Sequence, residues 1–202
     1  QRLIQIGVAT ATPSYRTPGD HTFRVFHSGV AEGIFLAERV VASGLGARTA
    51  LLKINHDYGI GIGEAFSKSL SERGGHIVFE DTFDPGGADF RTQLTRLRAN
   101  RPEIIVLVSL PAEGAVVLRQ LKELHIKDPV IAAGAVYGGR NFFDLVGDLA
   151  EGVQLVLPKP SNSSAARDFR HAYVARYGSD PGAINHYSAR DRKSTRLNSS
   201  HT

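Results

Sequence analysis

From Arg48 to Leu157 the chain repeats one unit: a short apolar run, a polar or glycine-rich turn, then a stretch whose apolar residues recur every three or four positions. The apolar runs are Thr49–Ile54, residues 76–79, Ile104–Val108, Val130–Ala133 and residues 153–157. Several are near-continuous and rich in β-branched side chains, as expected of strands buried on both faces of a parallel sheet. Between them, Phe66 and Leu70 mark one helix, stopped by Arg73-Gly74-Gly75. Phe90, Leu94 and Leu97 mark a second, with Asp89 at its N-cap, and Val117, Leu118, Leu121 and Leu124 mark a third. Strands alternating with helices predict an α/β fold: a doubly wound parallel sheet of order 2-1-3-4-5, with right-handed crossovers and helices on both faces. A further helix, 31–42, feeds the first strand through Ser43-Gly44-Leu45-Gly46.

Outside that block the pattern changes. Residues 2–8 read as a strand ending in the small, hydroxyl-rich loop Ala9-Thr10-Ala11-Thr12-Pro13. Residues 165–177 read as a helix beyond Leu157-Pro158-Lys159-Pro160, which its two prolines make extended and stiff. The expected organisation is therefore a nearly complete α/β lobe over 28–157, flanked by pieces of a second lobe at 1–27 and 158–190. Residues 191–202, DRKSTRLNSSHT, hold one apolar side chain, Leu197, and cannot bury a face. Such a composition suits a disordered tail or a basic arm for nucleic acid. It also reads as the one-frame translation of a common short-read sequencing adapter, a non-native tail to be set aside in reasoning about the fold.

Composition narrows the classes further. Three of the 24 basic residues and one of the 20 acidic ones lie in that tail, so without it the formal charge falls from +4 to +2 and carries no message about nucleic acid. No apolar run approaches the roughly 20 residues that a membrane-spanning helix needs. With no cysteine there is no disulfide, thiolate metal site or thiol nucleophile. With no methionine, the chain is expected to begin inside a longer protein, and the lack of a leader here says nothing about export.

The stretch Ile54-Asn55-His56-Asp57-Tyr58-Gly59-Ile60-Gly61-Ile62-Gly63 follows the first strand of the block and looks like a nucleotide-binding turn, with Glu80 about 20 residues on. The G-x-G-x-x-G spacing fails: counted from Gly59 its third glycine is Glu64, and counted from Gly61 it is Phe66. Glu64 is expected in the first helical turn, where it would repel a pyrophosphate and complement the helix dipole. Gly61 and Gly63 then serve close helix–sheet packing. His56 beside Asp57 could form an acid–base pair, but adjacent residues on an extended loop point apart, and capping of the turn is the plainer role. The eight histidines show no metal-ligand spacing, and there is no G-x-S-x-G elbow. No catalytic, metal or cofactor residue is assigned; a nucleotide-dependent enzyme using Gly59, Gly61 and Gly63 stays as the alternative. Tyr58 stands where open α/β sheets bind ligands, with an apolar face and a hydroxyl.

The segments FRVFHS (23–28), LLKINHDYGIG, FDPGGADFRTQLTRLRANRPEIIVL (83–107), LRQLKELHI and VGDLAEGVQLVLP, in this order, resemble the type I periplasmic binding proteins, in particular the branched-chain amino-acid (leucine/isoleucine/valine) binding branch of ABC importers. The resemblance covers about residues 1 to 190. It implies a fragment of a two-lobed, non-enzymatic protein whose chain crosses between lobes near His27-Ser28 and traps a small molecule between them. It also implies delivery to a membrane permease, a periplasmic or extracytoplasmic location and a monomeric state; a ligand-sensing receptor domain of the same fold is a further alternative. The tyrosine of the family's D-x-x-Y-G turn matches Tyr58. The hydroxyl-bearing loop matches Thr10, Ala11 and Thr12, with Ala11 at the usual threonine position. A second family tyrosine falls on Leu110. The acidic residue that pairs with a ligand ammonium falls near Ala135, with Tyr137 two positions on. Loss of that carboxylate leaves an amino acid, a carboxylate or an amide open as the ligand.

Overall fold

Every residue of Thr49–Ile54 is buried, on both sides of the strand. That single fact demands an apolar layer above and below. The computed structural model describes residues 3–8, 10–15, 19, 21–134, 140–157 and 161–181. Its elements in chain order are strands β1 (Gln5–Gly7) and β2 (Thr22–Arg24), helix α1 (Gly29–Ala42), β3 (Thr49–Ile54), α2 (Asp57–Glu72), β4 (Ile77–Phe83), α3 (Arg91–Ala99), β5 (Ile104–Val108), α4 (Pro111–Glu123), β6 (Val130–Ala133), α5 (Arg140–Val146), β7 (Gln154–Leu155) and α6 (Ser164–Tyr177). The chain divides into two units, Gly29–Val156 and, separately, Gln1–Ser28 with Leu157–Thr202.

In the larger unit the sheet order is β4-β3-β5-β6-β7, every neighbouring pair parallel. Counted within the unit this is 2-1-3-4-5, the order that the strand–helix alternation predicts. The two-residue period of the strands sorts side chains to opposite faces. Ala50, Leu52 and Ile54 join Phe79, Leu94, Leu97, Val117 and Phe142 under α3, α4 and α5. Leu51 joins Leu36, Val40, Ile62, Phe66 and Leu70 under α1 and α2. Each fully buried Leu or Phe contributes about 1.5–3 kcal/mol by leaving water, so these two layers hold the unit.

Bounds follow the same physics. β3, β5 and β6 coincide with the apolar runs, because an interior strand is buried on both faces; β3 departs from apolar only at Thr49 and Lys53. β4 runs four residues past the expected end at 79, because it is an edge strand with one face to bury. Phe79 and Phe83 face the core while Glu80, Asp81 and Thr82 continue the ladder. Its acidic edge is tied down by ion pairs, Lys53–Glu80 and Arg96–Asp81 (3.1 Å). Such charge also blunts an edge against pairing with another chain. Asp89 does not sit at the N-cap position of α3, which Phe90 occupies without a side-chain bond; instead its Oδ1 accepts from the Arg91 N–H at 3.1 Å. That backbone bond, aided by the Arg91 charge, holds the Asp89 carboxyl below its ordinary range. β1 and β7 are shorter than expected.

The smaller unit pairs β1 with β2 in parallel, Gln5 opposite Thr22 and Gly7 opposite Arg24. Its helix α6 is capped by Ser163, whose hydroxyl accepts from the Ala166 N–H, and stops at Gly178 in the left-handed conformation (φ 69°). Phe169, Tyr173 and Tyr177 stack along it with ring centroids 5.8 and 4.6 Å apart.

The helices α1 and α2 meet at Gly33, where an added Cβ would stand 2.5 Å from the Ile62 carbonyl oxygen and 2.8 Å from the Phe66 nitrogen. Those are backbone atoms and cannot swing aside. Gly33→Ala is therefore expected to lower the unfolding free energy by about 1–3 kcal/mol in urea titration. Gly46→Ala, whose Cβ would find its nearest neighbours at 3.6 Å, should stay within about 0.5 kcal/mol of the parent. Equal stability of the two variants would show that α1 and α2 do not approach this closely.

Candidate functional site at the carboxyl edge of the sheet

All five strands of the larger unit point the same way, so their carboxyl ends share one edge. From β3 the chain crosses to β4 on one side, while β5 lies on the other. That reversal leaves a crevice at the carboxyl ends of β3 and β5, the place where open α/β sheets bind ligands. Lys53 pairs in register with Val108, so the segments beginning at Asn55 and Ser109 leave the sheet side by side.

The first of these segments is tightly organised. The Asn55 N–H donates to the Phe83 carbonyl at 2.7 Å, and its Nδ2 donates to Asp84 Oδ1 at 2.8 Å. His56 is the N-cap of α2, with extended backbone (φ −151°, ψ 151°), and its Nδ1 accepts from the Tyr58 N–H at 3.3 Å. The histidine thus caps a helix. Asp57 occupies the first turn, where its charge suits the helix dipole. Tyr58 is half-buried, its hydroxyl oxygen is shielded from solvent, and its ring packs against both apolar layers at once.

The glycines belong to the helix rather than to a turn. α2 begins at Asp57, so Gly59, Gly61 and Gly63 lie inside it, and Glu64, expected in the first turn, is its eighth residue. A Cβ on Gly59 would strike the Ile54 carbonyl, and one on Gly63 would lie 2.6 Å from Cδ of Lys53. The space a phosphate needs is filled by strand β3, and Glu80, mid-strand in β4, is engaged by Lys53. The dinucleotide alternative has no geometry to support it.

At the end of β5, Ser109 is fully buried and donates through Oγ to the Leu110 carbonyl at 3.0 Å. Leu110 is the N-cap residue of α4 and is 38% exposed, an apolar side chain at the crevice. At the end of β6, the Gly134 N–H (φ 111°) donates to Oε1 of Glu32 at 2.5 Å. Glu32 lies in the first turn of α1 and is 5% exposed. Neither Glu32 nor Ser109 is picked out by the sequence reading. A carboxylate at position 32 on the same helix face as buried Leu36 and Val40 is the signal that could have found the first. Ala135 and Tyr137 lie outside the described residues.

In the smaller unit Ala11 is buried, and Thr10 and Thr12 are half-buried. Arg24 of β2 secures this loop: its Nη1 donates to the Ala11 carbonyl at 3.1 Å, and its guanidinium lies 6.0 Å from the Tyr15 ring centroid. The Thr12 carbonyl accepts from the Tyr15 N–H at 3.2 Å.

Among the described residues, no group of three or more His, Asp or Glu could hold a metal ion. A groove of about 610 Å³ lies at the opposite, amino-terminal edge of the sheet, floored by Leu121, Ile126, Val130 and Val153 and rimmed by Lys122 and Glu151. Strand polarity favours the carboxyl edge, where loop residues converge and helices begin, over this open groove.

Residues 2–196 match the family model described as periplasmic binding protein. The chain belongs to the periplasmic binding protein family. Among relatives of this family, the Leu/Ile/Val-binding protein homolog 3 of Brucella melitensis is 23% identical over 181 residues, which cover 86% of this chain and 49% of the relative. The structure of a leucine binding protein, LivK, from Thermotoga maritima superposes with a TM-score of 0.85 at 22% identity, covering 93% of this chain and 55% of that one. The substrate-binding protein LivJ of Streptococcus pneumoniae, solved with isoleucine, superposes with a TM-score of 0.73 at 22% identity over 86% of this chain and 52% of that one. This periplasmic binding protein chain spans about half the length of those relatives.

The cap at α2 can be tested without a ligand. His56→Ala is expected to cost about 1 kcal/mol of stability, and His56→Asn, a stronger N-cap, to restore the parent value or exceed it. Denaturant titration of the three proteins measures this; a His56→Ala variant as stable as the parent would mean that the cap contributes nothing.

Proposed function

We propose that this chain belongs to the substrate-binding protein of an ABC importer. The whole protein captures a small molecule, an amino acid or a related carboxylate or amide, outside the cytoplasmic membrane and delivers it to a membrane permease. It is a carrier and not an enzyme, and it acts as a monomer. The observation that carries the reading is Tyr58, held by the His56 cap at the crevice between the ends of β3 and β5 in a chain of this family. Leu110 stands on the other side of that crevice and supplies an apolar contact. Tyr137 and the loop residues Thr10, Ala11 and Thr12 are assigned to the ligand on resemblance alone, with the two threonine hydroxyls standing in for the one that Ala11 lacks.

The test uses a form of the protein as long as its relatives, with titration calorimetry and thermal shift against a panel of amino acids, carboxylates and amides. Tyr58→Phe keeps the ring packed on both apolar layers and removes only the hydroxyl; it should leave stability nearly unchanged and weaken binding by about 0.5–1.5 kcal/mol. Tyr58→Ala should weaken binding by about 1–3 kcal/mol and also lower stability, because that ring helps to close both layers. If both variants bind as the parent does, Tyr58 is structural; if no panel member binds the parent, the carrier reading falls.

A further inference from the structure

The segment after β3 and the start of α4 form the two walls of the crevice. Both are bonded to a third piece of chain, the turn Asp84-Pro85-Gly86-Gly87 that follows β4. Nδ2 of Asn55 donates to Oδ1 of Asp84 at 2.8 Å. Two residues on, the Gly86 N–H donates to Oε1 of Glu113, in the first turn of α4, also at 2.8 Å. The N-cap of α4 is the apolar Leu110, without a side-chain cap bond, and Glu113 ties the first turn to the neighbouring loop instead. Glu113 is 5% exposed, and a bond to a carboxylate in such a place is roughly twice as strong as one between neutral groups. The turn itself is stiff. Pro85 fixes its own φ, Gly86 takes the positive φ (78°) of the third residue of a type II turn, and the Gly87 N–H closes on the Asp84 carbonyl at 3.2 Å. Beyond it the chain stays laced to α4. Buried Gln120 accepts from the Phe90 N–H at 2.7 Å and donates to the Ala88 carbonyl at 3.1 Å, and Arg91 pairs with Glu123 at 2.7 Å. Bonds at Glu113, Gln120 and Glu123 thus make residues 86–91 and α4 one body, and Asp84 is the arm by which that body holds Asn55.

We propose that the Asp84–Gly87 turn braces the crevice: Asp84 and Glu113 are positioning residues that hold Tyr58 and Leu110 at the separation the ligand needs, without touching the ligand themselves. The inference rests on the carrier reading and adds to it residues that act through others. The two bonds work in series. Cutting either one frees one wall from the other, so losing the second as well costs little more.

Titration calorimetry on the protein at the length of its relatives tests this. The probe is the tightest binder among L-leucine, isocaproate and leucinamide or, failing these, the tightest binder of the wider panel. Asp84→Ala, at an exposed position, should weaken binding about three- to tenfold, and Asp84→Asn, which keeps Oδ1 as an acceptor, should restore most of it. Glu113→Ala should weaken binding by a similar factor, and Glu113→Gln, which can still accept from Gly86, should restore most of it. The double variant Asp84→Ala/Glu113→Ala should bind within about twofold of the weaker single variant, whereas independent effects would multiply. Parent affinity in Asp84→Ala overturns the inference and leaves the carrier reading intact. Equal losses in Asp84→Ala and Asp84→Asn, or a double variant whose loss is the product of the two, also overturn it. Should Glu113→Ala fail to fold, the two Asp84 variants decide alone. If no member of the panel binds the parent, the carrier reading and this inference fall together.

Discussion

Burial of β3 on both faces is the constraint from which the rest of the larger unit follows. Six consecutive buried residues require helices above and below, and crossovers between parallel strands place them there. Parallel strands bring all carboxyl ends to one edge. Because the chain leaves β3 first toward β4 and later returns on its other side as β5, that edge opens between the ends of β3 and β5. Tyr58 and Leu110 occupy the opening as a consequence of topology.

The same topology sets the charge of the edge. Helices α2 and α4 both begin there, so their amino-terminal ends offer partial positive charge at the crevice, which suits an anionic group on a ligand. Glu32 adds negative charge at the end of β6. Lys53 takes no part, because Gly63 leaves room for its stem to lie along α2 while its ammonium meets Glu80.

What the sequence disclosed divides along physical lines. Interior strands were legible to the residue, since Ile104–Val108 and Val130–Ala133 are apolar throughout and Thr49–Ile54 departs from this only at Thr49 and Lys53. The edge strand β4 was cut short because Glu80 and Asp81 look like a turn until their pairing with Lys53 and Arg96 is known. The glycines after His56 looked like a loop because glycine disfavours helix; close packing against β3 outweighs that preference at Gly59 and Gly63. Tyr58 was legible as an edge residue from strand polarity and from family resemblance, and Leu110 from the resemblance alone. Glu32 was not, because a bond from its carboxylate to the backbone N–H of Gly134, 102 positions away, leaves no local pattern.

The central claim is that the carboxyl edge at the β3–β5 crevice receives the ligand. Hydrogen exchange on the protein at the length of its relatives, with and without a saturating panel ligand, tests it most directly. Slowed exchange is predicted at the amides of residues 55–60, 109, 110 and 112–114 on ligand addition, with no change at 125–128, 130 and 148–153, at the groove of the amino-terminal edge. Protection confined to that groove, with the segments after β3 and β5 unaffected, would contradict the account.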